Sequence, residues 1–235
     1  MCIAPVVLMA VASFTDNDVL NLYGYTYFPQ KWSLEAYEFL IKQGTVISKS
    51  FLNSILVTFM GTALGIMVTV LLAYTISRKE LVGRKLIMLF VFFTMLFNGG
   101  MVPTYLMYTQ IFHIKNTMWA LLFPHLLVNG FNVLLVRTFF NENIPEVLLE
   151  AARIDGSGEF RTFNSIVLPL MKPAIAVQAI FGFVSSWNNY FTPALILHDD
   201  KKKTLPILIA QLRAADWLKF DMGQVYVMIT FSILP

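Results

Sequence analysis

The stretch Phe51–Ser77 reads FLNSILVTFMGTALGIMVTVLLAYTIS and contains no charged residue. A helix needs about 20 apolar residues to cross the hydrocarbon core of a bilayer, so this stretch is long enough to span one. Inside lipid, every backbone N–H and C=O group must find an internal partner, and a helix supplies those partners within one segment. The stretch therefore predicts a transmembrane helix.

Further charge-free intervals repeat this pattern, each with at least about 20 residues. They run from Lys85 to Lys115, from Lys115 to Arg137 and from Lys172 to Asp199. The composition agrees, because 57% of the residues are hydrophobic and 13% are charged, whereas soluble domains have about 25% charged residues. A barrel would show alternating segments of roughly ten residues instead. The sequence therefore predicts an all-α, polytopic membrane helix bundle.

We expect a single transmembrane domain over residues 1–235. Its predicted spans are 1–14, 51–77, 86–108, 118–140, 173–197 and 222–235, with a cytoplasmic loop at 141–172. The first and last are too short to cross a bilayer, so we expect truncated helices of a protein that has six spans when intact. Met1 lacks a basic flank, which favours the end of a helix over a signal peptide. Gly61 and Gly65 have the spacing that allows two helix backbones to approach closely.

Basic residues predict the orientation of the chain. They cluster in two loops that two crossings separate: Arg78, Lys79, Arg84 and Lys85 in one, and Arg137, Arg153, Arg161 and Lys172 in or beside the other. Both loops should lie on one side of the membrane, which the excess of basic residues assigns to the cytoplasm. Lys201, Lys202 and Lys203 fall on the opposite side, so the two sides carry nearly equal numbers of basic residues.

The loop at 141–172 carries the signals of a short helix. Pro145 suits a first turn because it has no N–H to lose, and Glu146 favours the positive end of the helix dipole. Gly156 suits the end of a helix. We therefore expect a helix from Pro145 to about Asp155, followed by a second helical stretch from about Gly158 to Pro169.

The middle of that helix contains Ala151 and Ala152 between Glu150 and Arg153. Small side chains leave a slim ridge that fits a groove on another protein, and the charged neighbours can form charge-assisted hydrogen bonds at its rim. The pattern indicates a docking element. A solvated amphipathic connector is the alternative.

A longer motif in this loop resembles a known family. Glu150-Ala151-Ala152, Gly156 and Ile166-Val167-Leu168-Pro169 are similar, at matching spacing, to the EAA motif of permease subunits of bacterial ATP-binding-cassette (ABC) importers. The resemblance implies the MetI-like, type I importer fold and a coupling helix that docks on an ATPase subunit. It implies the following docking residues: Glu150, Ala151, Ala152, Arg153, Asp155 and Gly156.

The same resemblance implies partners and a location. It predicts a second permease subunit, two ATPase subunits that bind ATP and Mg²⁺, and an external solute-binding protein, all at a bacterial plasma (inner) membrane. Residues 28–37 (FPQKWSLEAY), Asn53-Ser54, Ser77-Arg78 and Ser186-Trp187-Asn188 resemble the carbohydrate-importer branch. Residues 97–106 (FNGGMVPTYL) resemble a subgroup that handles oligosaccharides. The resemblance therefore implies a carbohydrate substrate.

Two polar interruptions within the spans are candidates for the substrate path. Glycine and proline at 99–103 break a helix, which is tolerated at depth where the backbone is buried in protein or lines a wet cavity. Amides beside an aromatic ring at 187–189 suit a polyhydroxylated ligand. The candidates are Asn98, Gly99, Gly100, Met101, Trp187, Asn188 and Asn189. A kink near the external mouth, an interfacial aromatic belt and simple packing are the alternatives.

Catalytic motifs are absent from the sequence. It contains no G-x-x-x-x-G-K-[ST] phosphate loop, so ATP must be hydrolysed by another subunit. His113, His125 and His198 lack metal-ligand spacing, and no nucleophile–base pair is evident. The net charge of +3 indicates no nucleic-acid partner. We expect a chain that is not an enzyme and binds neither cofactor nor metal.

Two other kinds of transporter stay open at this stage. One is a permease of the same architecture for amino acids or peptides, because the loop motif does not distinguish solutes. The other is an ion-coupled secondary transporter, which usually has ionisable groups within its spans. The charge-free intervals contain no Asp, Glu, Lys or Arg and no obvious inverted repeat, which disfavours that alternative.

Overall fold

The structure is a computed structural model that describes residues 3–97, 99–214 and 222–233. In chain order, its α-helices are α1 (Ala4–Ser13), α2 (Asn17–Tyr23), α3 (Glu35–Lys42), α4 (Gly44–Ser77), α5 (Arg84–Leu96), α6 (Met101–Leu106), α7 (Trp119–Leu126), α8 (Gly130–Asn143), α9 (Glu146–Ile154), α10 (Glu159–Thr162), α11 (Leu168–Leu170), α12 (Lys172–Trp187), α13 (Phe191–Ile196), α14 (Leu205–Ala214) and α15 (Met222–Ile233). The described residues also form two π-helices, Met107–Ile111 and Phe163–Val167, and one 3₁₀-helix, Asp200–Lys202. No β-strand occurs within these ranges, which confirms the predicted all-α class.

The helix α4 begins at Gly44, earlier than the predicted start at Phe51, and ends at Ser77. Among the described residues, it alone is long and apolar enough to cross a bilayer unbroken, with a mean hydropathy of 2.3 over its most apolar window. Its apolar pattern is continuous because no Pro or charged residue interrupts it after Lys49. This helix is the longest segment of the described structure.

Three pairs of helices reach the length of a span only together. If each pair is counted as one span, the described ranges contain up to four segments that are long and apolar enough to cross a bilayer. The pair α7 and α8 bends by 45°, and the segment Glu159–Leu170 bends by 76° against α12. The segments Arg84–Leu96 and Met101–Ile111 form the third pair. Pro124 lies within the last turn of α7, and the side chain of Asn129 caps α8 by accepting a hydrogen bond from the Asn132 N–H at 3.2 Å.

The helices fall into two compact units, one of Met1–Ile55 with Asn188–Pro235 and the other of Leu56–Trp187. In the first unit, α1 packs along α15, where Val227 and Met228 are buried. Its polar connections include an ion pair of 2.6 Å between Lys31 and Asp16. The side chain of Asn53 donates hydrogen bonds to the carbonyls of Lys201 and Lys203.

The core of the second unit lies where several helices meet the loop at 141–172. Its buried cluster includes Ile76 at the end of α4, Phe140 in α8, Leu149 in α9 and Phe163 in the following π-helix. Ring contacts reinforce the cluster, because Tyr74 lies edge-to-face on Phe140 with centroids 5.7 Å apart. The apolar face of α9 is therefore anchored to the end of α4.

Two glycines of α4 allow α7 to approach closely. A methyl group built on Gly61 would lie 2.6 Å from Cδ2 of His125, and one on Gly65 would lie 3.2 Å from the His125 carbonyl oxygen. Real side chains essentially never come as close as the first of these distances. The structure thus confirms the close helix approach that the spacing of Gly61 and Gly65 predicts.

Candidate functional site

The helix α9 is the centre of the candidate site. It spans Glu146–Ile154, with Pro145 and Asp155 as its flanking residues, as the sequence predicts. Glu146 lies in its first turn and Arg153 in its last, and both charges complement the helix dipole. Local sequence therefore accounts for both ends of this short helix.

Gly156 terminates α9 through its backbone conformation. Its φ of +74° lies in the left-handed region, which costs a residue with a Cβ roughly 1–2 kcal/mol. In this geometry the Gly156 N–H donates to the Arg153 carbonyl at 3.0 Å, and the Ser157 N–H donates to the Ala152 carbonyl at 2.9 Å. These two bonds form a Schellman motif, which satisfies carbonyls that the helix end leaves free.

We expect Gly156→Ala to lower the free energy of unfolding of the purified protein by about 1 kcal/mol, and so its unfolding temperature, because the cost arises from backbone strain alone. A methyl group at this position meets no atom within 4 Å, so packing adds nothing. Gly158→Ala is the matched control, because Gly158 has a φ of −69° and equally open surroundings. Equal unfolding temperatures for the two variants would contradict the assignment.

The two alanines of the motif face in different directions. Ala152 is 4% exposed and packs inward with Leu149, whereas Ala151 is exposed beside Glu150. Consecutive residues of an α-helix lie about 100° apart, since one turn has about 3.6 residues, so adjacent side chains cannot share one narrow ridge. The exposed face of α9 instead carries Ala151 with Val147 and Ile154, the last of which is 86% exposed.

A cluster of polar side chains joins α9 to the end of α4. The carboxylate of Glu159 accepts hydrogen bonds from the Tyr74 hydroxyl at 2.9 Å, from Arg78 at 2.8 Å and from Arg153 at 3.1 Å. Both terminal nitrogens of Arg153 also donate to the carboxylate of Glu80. We call Tyr74, Arg78, Glu80, Arg153 and Glu159 the Glu159 cluster.

The Glu159 cluster joins the two loops in which the basic residues of the sequence are concentrated. Arg78 and Glu80 follow α4, whereas Arg153 and Glu159 belong to the loop at 141–172. A further ion pair of 2.5 Å joins Lys79 to Glu146. The two loops therefore lie at the same end of the second unit, as the charge pattern predicts.

The acidic groups of the cluster are ionised at neutral pH. Burial acts to raise the pKa of Glu159, but hydrogen bonds from Tyr74, Arg153 and Arg78 outweigh it and leave the pKa below its ordinary value. The hydrogen bond from Arg153 likewise lowers the pKa of Glu80. Each charge of the cluster therefore faces an opposite charge.

Glu150 and Asp155 are exposed and form no ion pair within the ranges that the structure describes. A cavity of about 340 Å³ lies between α9 and the residues that follow α4, and Lys79, Glu146 and Glu150 are among its lining residues. The charged residues of α9 therefore differ in their contacts. Arg153 contacts carboxylates of its own chain, whereas Glu150 and Asp155 are exposed.

The candidates for the substrate path occupy several positions. Asn98 lies outside the described residues, while Gly99 and Gly100 precede α6, and Met101 at its start is 51% exposed. Trp187 ends α12 and is buried, with its ring parallel to that of Phe183 at 6.1 Å. Asn188 is exposed, and the side chain of Asn189 accepts a hydrogen bond from the Thr192 N–H at 3.4 Å.

Sequence reasoning overlooked three members of the Glu159 cluster, namely Tyr74, Glu80 and Glu159. Tyr74 and Glu159 are 85 positions apart in the chain, and no local pattern connects such distant residues. The available signal was a charge pattern, since both basic loops also contain acidic residues. His125, which has no metal-ligand spacing, is close to the Ser186 hydroxyl at 3.3 Å. No group of potential metal ligands occurs among the described residues.

Comparison with known proteins identifies the family. Residues 49–235 match the family described as "Binding-protein-dependent transport system inner membrane component". The chain is 38% identical to the polygalacturonan/rhamnogalacturonan transport system permease protein YtcP of Bacillus subtilis, over 90% of this chain and 73% of that protein. It is 30% identical to the arabinooligosaccharides transport system permease protein AraQ of Bacillus subtilis, over 88% of this chain and 73% of that protein.

A solved structure shares the fold. It is the crystal structure of a bacterial ABC transporter involved in the import of the acidic polysaccharide alginate. The TM-score is 0.86 at 25% identity, over 100% of this chain and 86% of the matched chain. The match confirms the predicted permease fold of type I importers. In such importers, separate ATPase subunits hydrolyse ATP, and the permease itself binds no cofactor.

The extent of the family match and the identity to the relatives leave one conclusion: the chain belongs to the family of inner membrane components of binding-protein-dependent transport systems, and it is an ABC importer permease subunit rather than an enzyme.

Proposed function

We propose that the chain is a permease subunit of an ATP-driven importer for oligosaccharides in a bacterial plasma membrane. One observation carries the choice of substrate. The relatives are named for polygalacturonan/rhamnogalacturonan, for arabinooligosaccharides and for trehalose/maltose. These names differ in the sugar but share chains of linked, polyhydroxylated rings. An oligosaccharide is therefore the substrate class that they support together.

The proposed assembly contains a second permease subunit, two ATPase subunits that hold ATP and Mg²⁺, and an external solute-binding protein. We assign α9 as the element that docks on an ATPase subunit. Its exposed face supports this assignment, because it combines apolar side chains such as Ile154 with the carboxylates of Glu150 and Asp155. Apolar contact area with a charged rim is the usual composition of a protein interface.

Transport would follow from movement of this docked helix. Closure of the ATPase subunits around ATP draws α9 with them, and α9 is packed against α4 through Leu149 and the neighbouring cluster. Rigid-body movement of packed helices can then exchange outward-open and inward-open states. The permease contributes no chemical step to this cycle, because its role is mechanical.

We retain the segments at 98–101 and 187–189 as candidates for the substrate path. Gly100 has a φ of +80°, so the backbone there departs from helical geometry at the start of α6. Trp187 is a large aromatic ring followed directly by two amides. Aromatic faces and amide groups are both suited to hydroxylated rings.

Uptake measurements test the proposed function. A strain that lacks the gene, complemented with the full chain and its transporter partners, would receive labelled fragments of pectin, arabinan, starch and chitin, together with amino acids and dipeptides. We expect accumulation of an oligosaccharide only in the complemented strain. In vesicles, uptake should require internal ATP and should persist when an ionophore removes the ion gradients.

Other outcomes would contradict the proposal in distinct ways. Uptake of amino acids or dipeptides without any oligosaccharide would refute the substrate class while leaving the permease role intact. Uptake that follows an ion gradient and ignores ATP would refute the coupling mechanism. A second complementation with Gly44→Ala controls for expression, since a methyl group there meets no atom within 4 Å.

A further inference from the structure

We propose that Glu159 is a positioning residue that ties α9 to the cytoplasmic end of α4, so that movement of α9 is transmitted to this membrane helix. This inference rests on the proposed function, since it assumes that α9 docks on an ATPase subunit. It adds a residue that is not among the named positions of the EAA motif, and it gives Arg153 a role within its own chain.

The carboxylate of Glu159 lies where three segments meet. Tyr74 belongs to the last turn of α4, and Arg78 directly follows that helix. Arg153 belongs to the last turn of α9, and Glu159 itself begins α10. The side chains of the other three all donate to Glu159, at distances between 2.8 and 3.1 Å. A displacement of α9 therefore reaches α4 through one shared acceptor.

Packing restricts the groups on the α4 side. Tyr74 is 8% exposed, and its ring contacts Phe140 and Phe163 with centroids 5.7 and 5.0 Å away. The guanidinium of Arg78 lies 5.5 Å from the centre of the Tyr74 ring, and its side chain is 15% exposed. These donors have little freedom to follow Glu159 unless the end of α4 moves with them.

The apolar and the polar contacts of α9 restrict its movement in different ways. Leu149 and Ala152 bury the inner face of the helix, and apolar contacts have no directional preference. Hydrogen bonds weaken steeply when their angle departs from linearity, so the Glu159 cluster fixes the rotation and tilt of α9. Loss of the cluster should therefore leave α9 in place but free to rotate.

The guanidinium of Arg153 donates charge-assisted hydrogen bonds to two carboxylates. It donates to Glu80 and to Glu159, and its side chain is 40% exposed. An exposed ion pair adds little to stability, so the cluster is a weak candidate for holding the fold together. Two carboxylates on one guanidinium instead define its position, which suits transmission of movement.

The test is Glu159→Gln in the complete transporter, reconstituted into proteoliposomes with its binding protein. The amide keeps the size of the side chain but removes the negative charge that faces two guanidinium groups. We expect the ATPase subunits to co-purify and ATP hydrolysis to continue. Substrate transported per ATP should fall about tenfold, within the roughly 5–150-fold range of typical couplings between sites.

Controls separate this role from a structural one. Glu38→Gln removes the same charge from an exposed ion pair with Lys42 in α3, and its transport per ATP should equal that of the unchanged protein. Tyr74→Phe removes one donor to Glu159 and keeps the ring contacts, so it should lower the ratio in the same direction. If Glu159→Gln fails to fold, Tyr74→Phe decides the outcome.

An unchanged ratio of transport to hydrolysis in both variants would overturn the inference. Loss of the ATPase subunits on purification of a folded Glu159→Gln protein would also overturn it, because Glu159 would then act in docking. Failure of the proposed function has a different readout, since the unchanged transporter would then show no ATP-dependent uptake of an oligosaccharide.

Discussion

Replacement of Glu150 by lysine should abolish transport and the co-purification of ATPase subunits, while the permease still inserts into the membrane. Glu150 is exposed on α9 and forms no ion pair within the described part of the chain. Docking would bury its carboxylate against the ATPase subunit, and loss of one partner of a buried charge pair costs about 2–5 kcal/mol. Reversal of the charge adds repulsion to that loss.

Affinity purification from membranes measures this result directly. A tagged permease that contains Glu150→Lys should be recovered in normal amount, without its ATPase subunits, and uptake should fall to background. Glu35→Lys is the matched control, because Glu35 is an exposed carboxylate in α3 of the first unit. Normal transport by the Glu150→Lys protein would count decisively against the docking role of α9.

Replacement of Gly61 by alanine should destabilise the second unit, although alanine favours a helix over glycine by about 1 kcal/mol. The added methyl group would lie 2.6 to 2.8 Å from three ring atoms of His125. That ring is held by its contact with the Ser186 hydroxyl, and the next turn of α4 meets the His125 backbone at Gly65. Overpacking of this kind costs about 1–3 kcal/mol.

Thermal unfolding in detergent measures the loss, with Gly44→Ala as the control on the same helix. A methyl group at Gly44 meets no atom within 4 Å, so only helix propensity changes there. We expect a lower unfolding temperature for Gly61→Ala and an equal or higher one for Gly44→Ala. If the two variants unfolded at the same temperature, α7 would not contact α4 at Gly61.

Local sequence predicts the helical class and the ends of α9 correctly, since each depends on neighbouring residues. The absence of charge after Lys49 is enough to indicate a helix that crosses a bilayer, and α4 follows it to Ser77. Pro145 and Gly156 act through their own backbone preferences, which need no distant contact. The break after α7 is less visible, because Pro124 lies within that helix and the bend follows it.

The sequence likewise predicts only part of the candidate site. The EAA motif predicts α9 as a partner surface by sequence alone, but it does not distinguish Ala151 from Ala152. Only the packing of α9 distinguishes them, because Leu149 and Ala152 face the core while Ala151 is exposed. The motif likewise suggests Arg153 as a docking residue, whereas the structure pairs its guanidinium with Glu80 and Glu159.

Sequence by itself determined the helical class, the position of α9 and the family, because these follow from residues that lie close together in the chain. Tertiary structure decided which side chains of α9 face outward and which carboxylate joins it to α4. Tyr74 and Glu159 are 85 positions apart, and their 2.9 Å hydrogen bond exists only because packing of the second unit brings the ends of α4 and α9 together. Contacts over such separations depend on the whole fold, so no local pattern encodes them.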